Sequence, residues 1–404
     1  MKRLILLIAL FGLSVAALYA QPVSESARRL HQSAFVFDAH LHFIDRAFYL
    51  QGDIGTRYND GQVDLPRVKA GGVDAFLLSL FVTEEYYPGR YETKQVLRLL
   101  EFARTQIARH HDQIEIALNA ADIARINRQG KVAAVLDLEG GFDLDGDPAV
   151  LRMLYQLGLR GVQLPAHNWA NEFADSCCAQ PKWNGLNEHG RALIREMNRL
   201  GMVINVSHAS DATLAQALEA SADPLVATHH GLRSFNNIPR TMPDELVKKL
   251  AARGGVIAFH IGNELHNRPM YEWLTGKEGQ PFWDTSKVVG KAQGKSILEI
   301  DRLVAQGYPD NGATNVPPEL LWAPEQWLTV VDRAIALVGE DHVALGTDFD
   351  GGPTPPRGMR DISDLPLLTE AMLKHGYSET RIRKFLGGNL LRVFRQVTEK
   401  KQGR

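Results

Sequence analysis

Short apolar runs alternate with amphipathic stretches along most of the chain. Eight of the runs read as β-strands: Phe35–Ala39, Val73–Leu80, Val132–Leu138, Gly161–Pro165, Met202–Ser207, Pro224–Thr228, Gly255–His260 and His342–Gly346. The stretches between them carry helical spacing. Thr93–Arg109 places Val96, Leu99, Leu100, Phe102 and Ile107 on roughly one face. Leu186–Leu200 and Ser210–Leu218 behave likewise, the latter with Ser210 as its N-cap. Pro243–Ala252 carries Leu246, Val247 and Leu250, with proline early in the helix. Strand and helix in alternation predict a parallel α/β fold, and eight such units predict a (β/α)8 TIM barrel. The competing arrangement, an open doubly wound sheet, brings distant strand ends together less readily.

One segment breaks the rhythm. Between the seventh and eighth strands lies a long stretch rich in Gly, Pro, Asn and aromatic residues, an insertion over about 261–325. His266–Trp283 shows no clear period, whereas Ser296–Gln306 and Pro324–Leu337 read as helices. A loop after a barrel strand hangs over the mouth, so the insertion is expected to act as a lid or a partner surface. The plainer alternative is an insertion packed on the outside.

The chain opens with Lys2-Arg3, an apolar stretch Leu4–Leu18, then Tyr19-Ala20 before Gln21-Pro22. That is the pattern of a secretory signal cleaved after Ala20, which leaves residues 21–404 as one barrel domain, secreted or periplasmic. The stretch is short for a membrane span, and no later segment suits one, so the mature chain is expected to have no stable span. The end, Lys400 to Arg404, lacks the hydrophobic tail of a lipid-anchor signal. With 404 residues, 45% of them hydrophobic, the chain can bury a large core. A net charge of -2 and the absence of any basic run exclude a nucleic-acid partner. The two cysteines, Cys177 and Cys178, are adjacent; they bridge each other only with strain and cannot staple a small fold. They read as loop residues near the mouth, without a role.

The chemistry lies at five strand ends: Asp38-Ala39-His40-Leu41-His42, Asp137-Leu138-Glu139-Gly140-Gly141, Val206-Ser207-His208, Ala227-Thr228-His229-His230 and Gly346-Thr347-Asp348-Phe349-Asp350. A parallel barrel gathers its strand ends into one mouth, so these imidazoles and carboxylates point to a metal site and to hydroxide chemistry. His40 and His42, two apart on a strand, face the same side and reach one ion together. Asp38 is placed to orient one of their rings. Glu139 ends an apolar strand, where an unpaired charge is costly; bridging two ions resolves that cost, and Gly140-Gly141 lets backbone approach closely. A structural salt bridge is the bland alternative. His208 and His229 supply a second ion, and Asp348 accepts a proton from the bridging water. His230 should point elsewhere, and Asp350 reads as a turn residue.

These motifs resemble the membrane dipeptidase (renal dipeptidase) family of zinc peptidases, within the amidohydrolase superfamily. The similarity runs from Phe37 to about Val397 and is most specific at Asp137–Gly141, Gln163–His167, Asn198–Ser210, Arg240–Asp244, Gly346–Gly351 and Gly388–Val393. The resemblance implies two Zn²⁺ ions bridged by Glu139, with His40, His208 and His229 as ligands and Asp348 as the catalytic acid–base group. It also implies that His167 polarises the substrate and that Arg240 holds the substrate's carboxylate. The family begins H-x-D where this chain has His40-Leu41-His42, which removes one negative charge beside the first ion. The implied substrate is a small dipeptide, and the implied assembly a homodimer. Two other readings stand beside this one: an N-acyl-amino-acid deacylase or lactonase of the same superfamily, and a non-catalytic ligand-binding barrel. Serine-hydrolase chemistry has no G-x-S-x-G elbow to support it.

Overall fold

The computed structural model describes residues 23–82, 87, 91–144, 146–165, 171–276, 292–306 and 316–399. The expected signal segment at 1–20, His167 and residues 277–291 and 307–315 of the insertion lie outside the described residues. The strands are β1 (Phe37–Leu41), β2 (Ala75–Phe81), β3 (Ile114–Ile116), β4 (Val132–Glu139), β5 (Leu159–Gln163), β6 (Val203–Asn205), β7 (Val226–His230), β8 (Val256–His260) and β9 (Val343–Gly346). All pair in parallel, in the order β1-β2-β4-β5-β6-β7-β8-β9.

The sheet closes on itself at the β1–β9 seam. The Asp348 N–H donates to the His40 carbonyl at 3.0 Å, and the His42 N–H donates to the Phe349 carbonyl at 3.1 Å. The Asp38 carboxylate binds the same seam, accepting the Thr347 N–H at 2.8 Å and the Thr347 hydroxyl at 2.5 Å. Asp38 therefore does not orient a histidine ring, as the sequence suggested. Its neighbour Thr347 is remote in sequence, and strand spacing gives no sign of it.

Residues two apart on a strand share a face, and the lumen is built from this rule. On β4 the sequence Ala133, Val135, Asp137, Glu139 climbs from an apolar floor to a polar mouth. On β2, Ala75 and Leu77 precede Ser79, and on β8, Val256 and Ala258 precede His260. These apolar residues form one buried cluster with Val203, Val226 and Ala344 and with Leu390, Val393, Phe394 and Val397 of the C-terminal helix Asn389–Thr398. That helix touches β1, β6, β8 and β9, and so closes the floor of the barrel. The alternate strand residues, such as Phe76, Leu78, Leu136 and Leu138, belong to the larger core under the outer helices.

The helices Glu92–Arg109, Glu188–Leu200, Asp211–Ala220 and Asp244–Ala252 lie close to their predicted places. Ser210 caps its helix, accepting the Thr213 N–H at 3.1 Å. Short elements are among those that escaped the sequence pattern. Strand β3 is three residues long, too short to show a period, and pairs with the first half of β4, below β5. The helix Arg268–Thr275 buries only Met270 and Leu274, one turn apart, so it shows no sustained stripe. Within the insertion, the helix Ile297–Ala305 starts with a Ser296–Glu299 capping box. It lies against the start of the helix Glu92–Arg109: Asp301 accepts hydrogen bonds from Tyr87 Oη at 2.6 Å, Gln95 Nε2 at 3.1 Å and Arg98 Nη2 at 2.6 Å. No described helix is long and apolar enough to cross a membrane.

Burial raises the Asp38 carboxyl to about 6, against the hydrogen bonds from Thr347. The folded chain thus keeps a proton that the unfolded chain releases near its ordinary value of 3.8. Stability falls as pH rises through this window, because the folded state binds more protons. The variant Asp38→Asn has nothing to ionise there. Its stability relative to the native chain should rise between about pH 4 and about pH 7, by up to about 3 kcal/mol. Urea unfolding of both proteins at the two pH values checks this, and a difference independent of pH would contradict it.

Candidate metal centre

Glu139 stands at the centre of the mouth, and its two oxygens face two different pairs of histidines. Oε2 lies 2.9 Å from His40 Nε2 and 3.2 Å from His42 Nε2. Oε1 lies 3.7 Å from His208 Nε2 and 3.8 Å from His229 Nε2, and these two nitrogens are 2.8 Å apart. Asp348 Oδ1 closes the first group, 3.1 Å from His42 Nε2 and 3.6 Å from His40 Nε2. All six side chains are buried. The structure thus brings together six of the predicted site residues, His40, His42, Glu139, His208, His229 and Asp348; His230 turns away, its Nδ1 lying by Gly231.

Local backbone geometry aims these groups. The pairing register slips between Asp38 and Leu41 on β1 and between Ala227 and His230 on β7, beside three of the histidines; such irregularities re-aim side chains. His208 and Asp348 sit at φ 60° and 62°, conformations that cost of order 1–3 kcal/mol and cluster at functional sites. Gly351 is required by space: a Cβ there would lie 2.3 Å from Asp348 Oδ1 and 2.6 Å from His42 Cδ2. Gly141 serves the close backbone approach expected of it, since its Cβ would lie 2.7 Å from the Leu164 carbonyl oxygen.

A ring of further groups holds the centre. The Ser79 hydroxyl donates to Glu139 Oε2 at 2.7 Å. Asp45 Oδ2 lies 2.9 Å from His42 Nδ1. His260 Nδ1 accepts the Gly262 N–H at 2.9 Å, which places the ring proton on Nε2, and Nε2 donates to Asp348 Oδ2 at 3.0 Å. Arg240 Nη2 donates to the His229 carbonyl at 2.7 Å and lies 3.1 Å from His208 Nε2, while Nη1 is buried without a hydrogen-bond partner among the described residues. Burial lowers the Arg240 guanidinium to about 10. Asp350 accepts the Gln62 N–H at 2.7 Å and the Val63 N–H at 3.3 Å, as suits a structural residue. Cys177 and Cys178 are bonded to each other, and the Cys177 N–H donates to the His208 carbonyl at 2.7 Å.

Strand-end reasoning missed His260, Asp45 and Ser79. His260 ends a run that the sequence identified as a strand, so the same rule could have found it. Asp45 lies past the strand, and Ser79 lies within one; neither has a sequence signal.

The donor set fits metal ions. Two imidazole nitrogens 2.8 Å apart repel through their lone pairs unless a proton or cation joins them. Ligand atoms about 2.0–2.1 Å from a tetrahedral ion stand roughly 3.3 Å from one another, close to the spacings around Glu139. Among the described residues, three groups are tight enough to hold an ion: His40, His42 and Glu139; His40, His229 and Asp348; and Glu139, His208 and His229. Burial opposes charge on Glu139, but the charges and hydrogen bonds of His40 and His42 hold its carboxyl well below the usual range. Burial also disfavours the Asp348 carboxylate, yet hydrogen bonds from His260 and His42 keep it ionised. Burial, with the nearby positive charges of His40 and Arg240, keeps His229 neutral, the form in which imidazole binds metal.

A parallel barrel whose mouth collects four imidazoles around two ionised carboxylates defines a metal-dependent hydrolase. The chain belongs to the membrane dipeptidase family, peptidase family M19, whose pattern extends over residues 24–404. Among its relatives, dipeptidase tcpJ of Claviceps purpurea is 29% identical over 353 residues, covering 84% of this chain and 70% of that protein. Dipeptidase 3 of Rattus norvegicus is 27% identical over 347 residues, covering 85% and 60%. In fold, the chain is similar to the probable dipeptidase PvdM from Pseudomonas aeruginosa, with a TM-score of 0.76 at 22% identity over 93% of this chain and 98% of that one. It is also similar to a metallo peptidase from Rhodobacter sphaeroides liganded with a phosphinate mimic of the dipeptide L-Ala-D-Ala, with a TM-score of 0.69 at 22% identity over 90% and 99%.

If His260 holds Asp348 in place, His260→Leu should lower kcat by roughly 10–100-fold with little change in KM. Steady-state kinetics with a hydrolysed substrate checks this. A change confined to KM would place His260 in binding instead.

Proposed function

We propose that this protein hydrolyses the amide bond of small dipeptides at two zinc ions bridged by Glu139. The observation that carries the reading is the division of the Glu139 carboxylate, one oxygen facing His40 and His42, the other His208 and His229. Zinc held by His40, His42, His208, His229 and Glu139 would supply a hydroxide nucleophile near neutral pH, by lowering the pKa of water towards ~7, and would polarise the amide carbonyl.

The protein's own groups do the rest. Asp348 turns Oδ2 to His260 and leaves Oδ1 towards the histidine pair. In that position it takes the proton of the attacking water and delivers it to the leaving amine. Arg240 offers its unpartnered Nη1 to the substrate's free carboxylate through a charge-assisted hydrogen bond. His167 is assigned the developing oxyanion, a contact worth roughly 3 kcal/mol. A leader over residues 1–20 would carry the enzyme out of the cytoplasm, where small peptides reach it.

Turnover of a dipeptide, its N-acetylated form and its C-terminal amide tests the reading. The free dipeptide should be the best substrate. Arg240→Ala should raise KM for the free dipeptide by about 10–100-fold, the value of one hydrogen bond to a charged group, and should barely affect the amide. Equal losses on both would remove Arg240 from carboxylate binding. Preferred turnover of the N-acetylated form would instead favour an N-acyl-amino-acid deacylase.

A further inference from the structure

As a metal ligand His42 would be a neutral imidazole, so where a carboxylate would bring both, it would bring a donor atom but no charge. Behind it lies Asp45, fully buried in the short helix Asp45–Tyr49. Its Oδ2 is 2.9 Å from His42 Nδ1, and its Oδ1 has no hydrogen-bond partner among the described residues. The adjacent guanidinium of Arg46 is turned towards Asp60 at 3.0 Å and Asp350 at 3.5 Å. A carboxylate buried with a single hydrogen bond is expensive to keep, and the group it serves is the His42 ring.

For a metal-bound ring the consequence would be specific: an acceptor at Nδ1 would hold the one remaining ring proton there and leave the Nε2 lone pair for the ion. Nε2 is the atom that stands 3.2 Å from Glu139 Oε2 and 3.1 Å from Asp348 Oδ1. The helix that carries Asp45 is held in turn. Tyr49, at its other end, accepts a hydrogen bond from Gln95 Nε2 at 3.4 Å, and Gln95 is bound to Asp301 of the insertion helix Ile297–Ala305.

We propose that Asp45 is a positioning residue of the first metal site, fixing the His42 tautomer and supplying through the ring the negative charge that His42 lacks. The proposal rests on the two-metal reading above. It predicts that outer carboxylate and inner imidazole act as one unit, since such partners orient the ring and raise its basicity.

The test is zinc titration of the full chain against a chromophoric chelator, without substrate. The native chain should bind two ions. Asp45→Asn should weaken one of them by about 10–100-fold and leave the other unchanged. His42→Ala should weaken the same ion, and adding Asp45→Asn to His42→Ala should cost nothing more, because the two residues act through one ligand. Asp45→Glu, which keeps the charge, should retain more affinity than Asp45→Asn and serves if Asp45→Asn does not fold. Native affinity in Asp45→Asn, equal weakening of both ions, or a further loss in the His42→Ala background would overturn the proposal. Absence of zinc binding by the native chain would instead defeat the two-metal reading itself, and this proposal with it.

Discussion

Glu139 is a charged carboxylate at the end of a strand that is buried along its whole length. Removing such a charge from water costs several kcal/mol unless partners compensate for it. The mouth of the barrel is arranged around that requirement. Two imidazoles meet one oxygen, two face the other, and Ser79 adds a neutral donor. In the proposed reading, a divalent ion on each side would satisfy the same requirement more completely and would supply a reactive water beside a buried carboxylate and an arginine.

The fold meets the requirement by separating its lumen into a floor and a mouth. Small and branched residues fill the lower layer above the C-terminal helix, so water is excluded beneath the site. Polar residues enter only at the last one or two inward positions of each strand. Precision then comes from departures from regular geometry: slipped registers on β1 and β7, left-handed backbone at His208 and Asp348, and a glycine at 351 where any side chain would strike two site residues. Each departure costs stability locally, and the extensive core beneath offsets it.

Much of this was legible in the sequence, and the parts that were not share a cause. Eight strands and six of the helices could be read because each carries several apolar residues at a fixed period. The six central side chains could be read because a parallel barrel turns strand ends into neighbours. What could not be read depends on contacts between residues remote in sequence, or on elements too short to have a period. Asp38 binds Thr347 across the seam, 309 positions away, where sequence spacing alone suggested a ring partner. Strand β3 and the helix Arg268–Thr275 are too brief to show a pattern. The partners of the insertion helix Ile297–Ala305, namely Tyr87, Gln95 and Arg98, likewise lie some two hundred positions away and carry no signal in the sequence. The pairing of Cys177 with Cys178 rests on loop geometry that no sequence rule supplies.

The account turns on two ions sharing one carboxylate, and anomalous X-ray diffraction at the zinc edge from crystals grown with zinc addresses that most directly. Two peaks are predicted, one on each side of Glu139: the first within about 2.0–2.2 Å of the His40 and His42 nitrogens, the second equally close to those of His208 and His229. One peak alone, or two peaks with Glu139 bound to neither or only one, would contradict the bridged pair on which the mechanism depends.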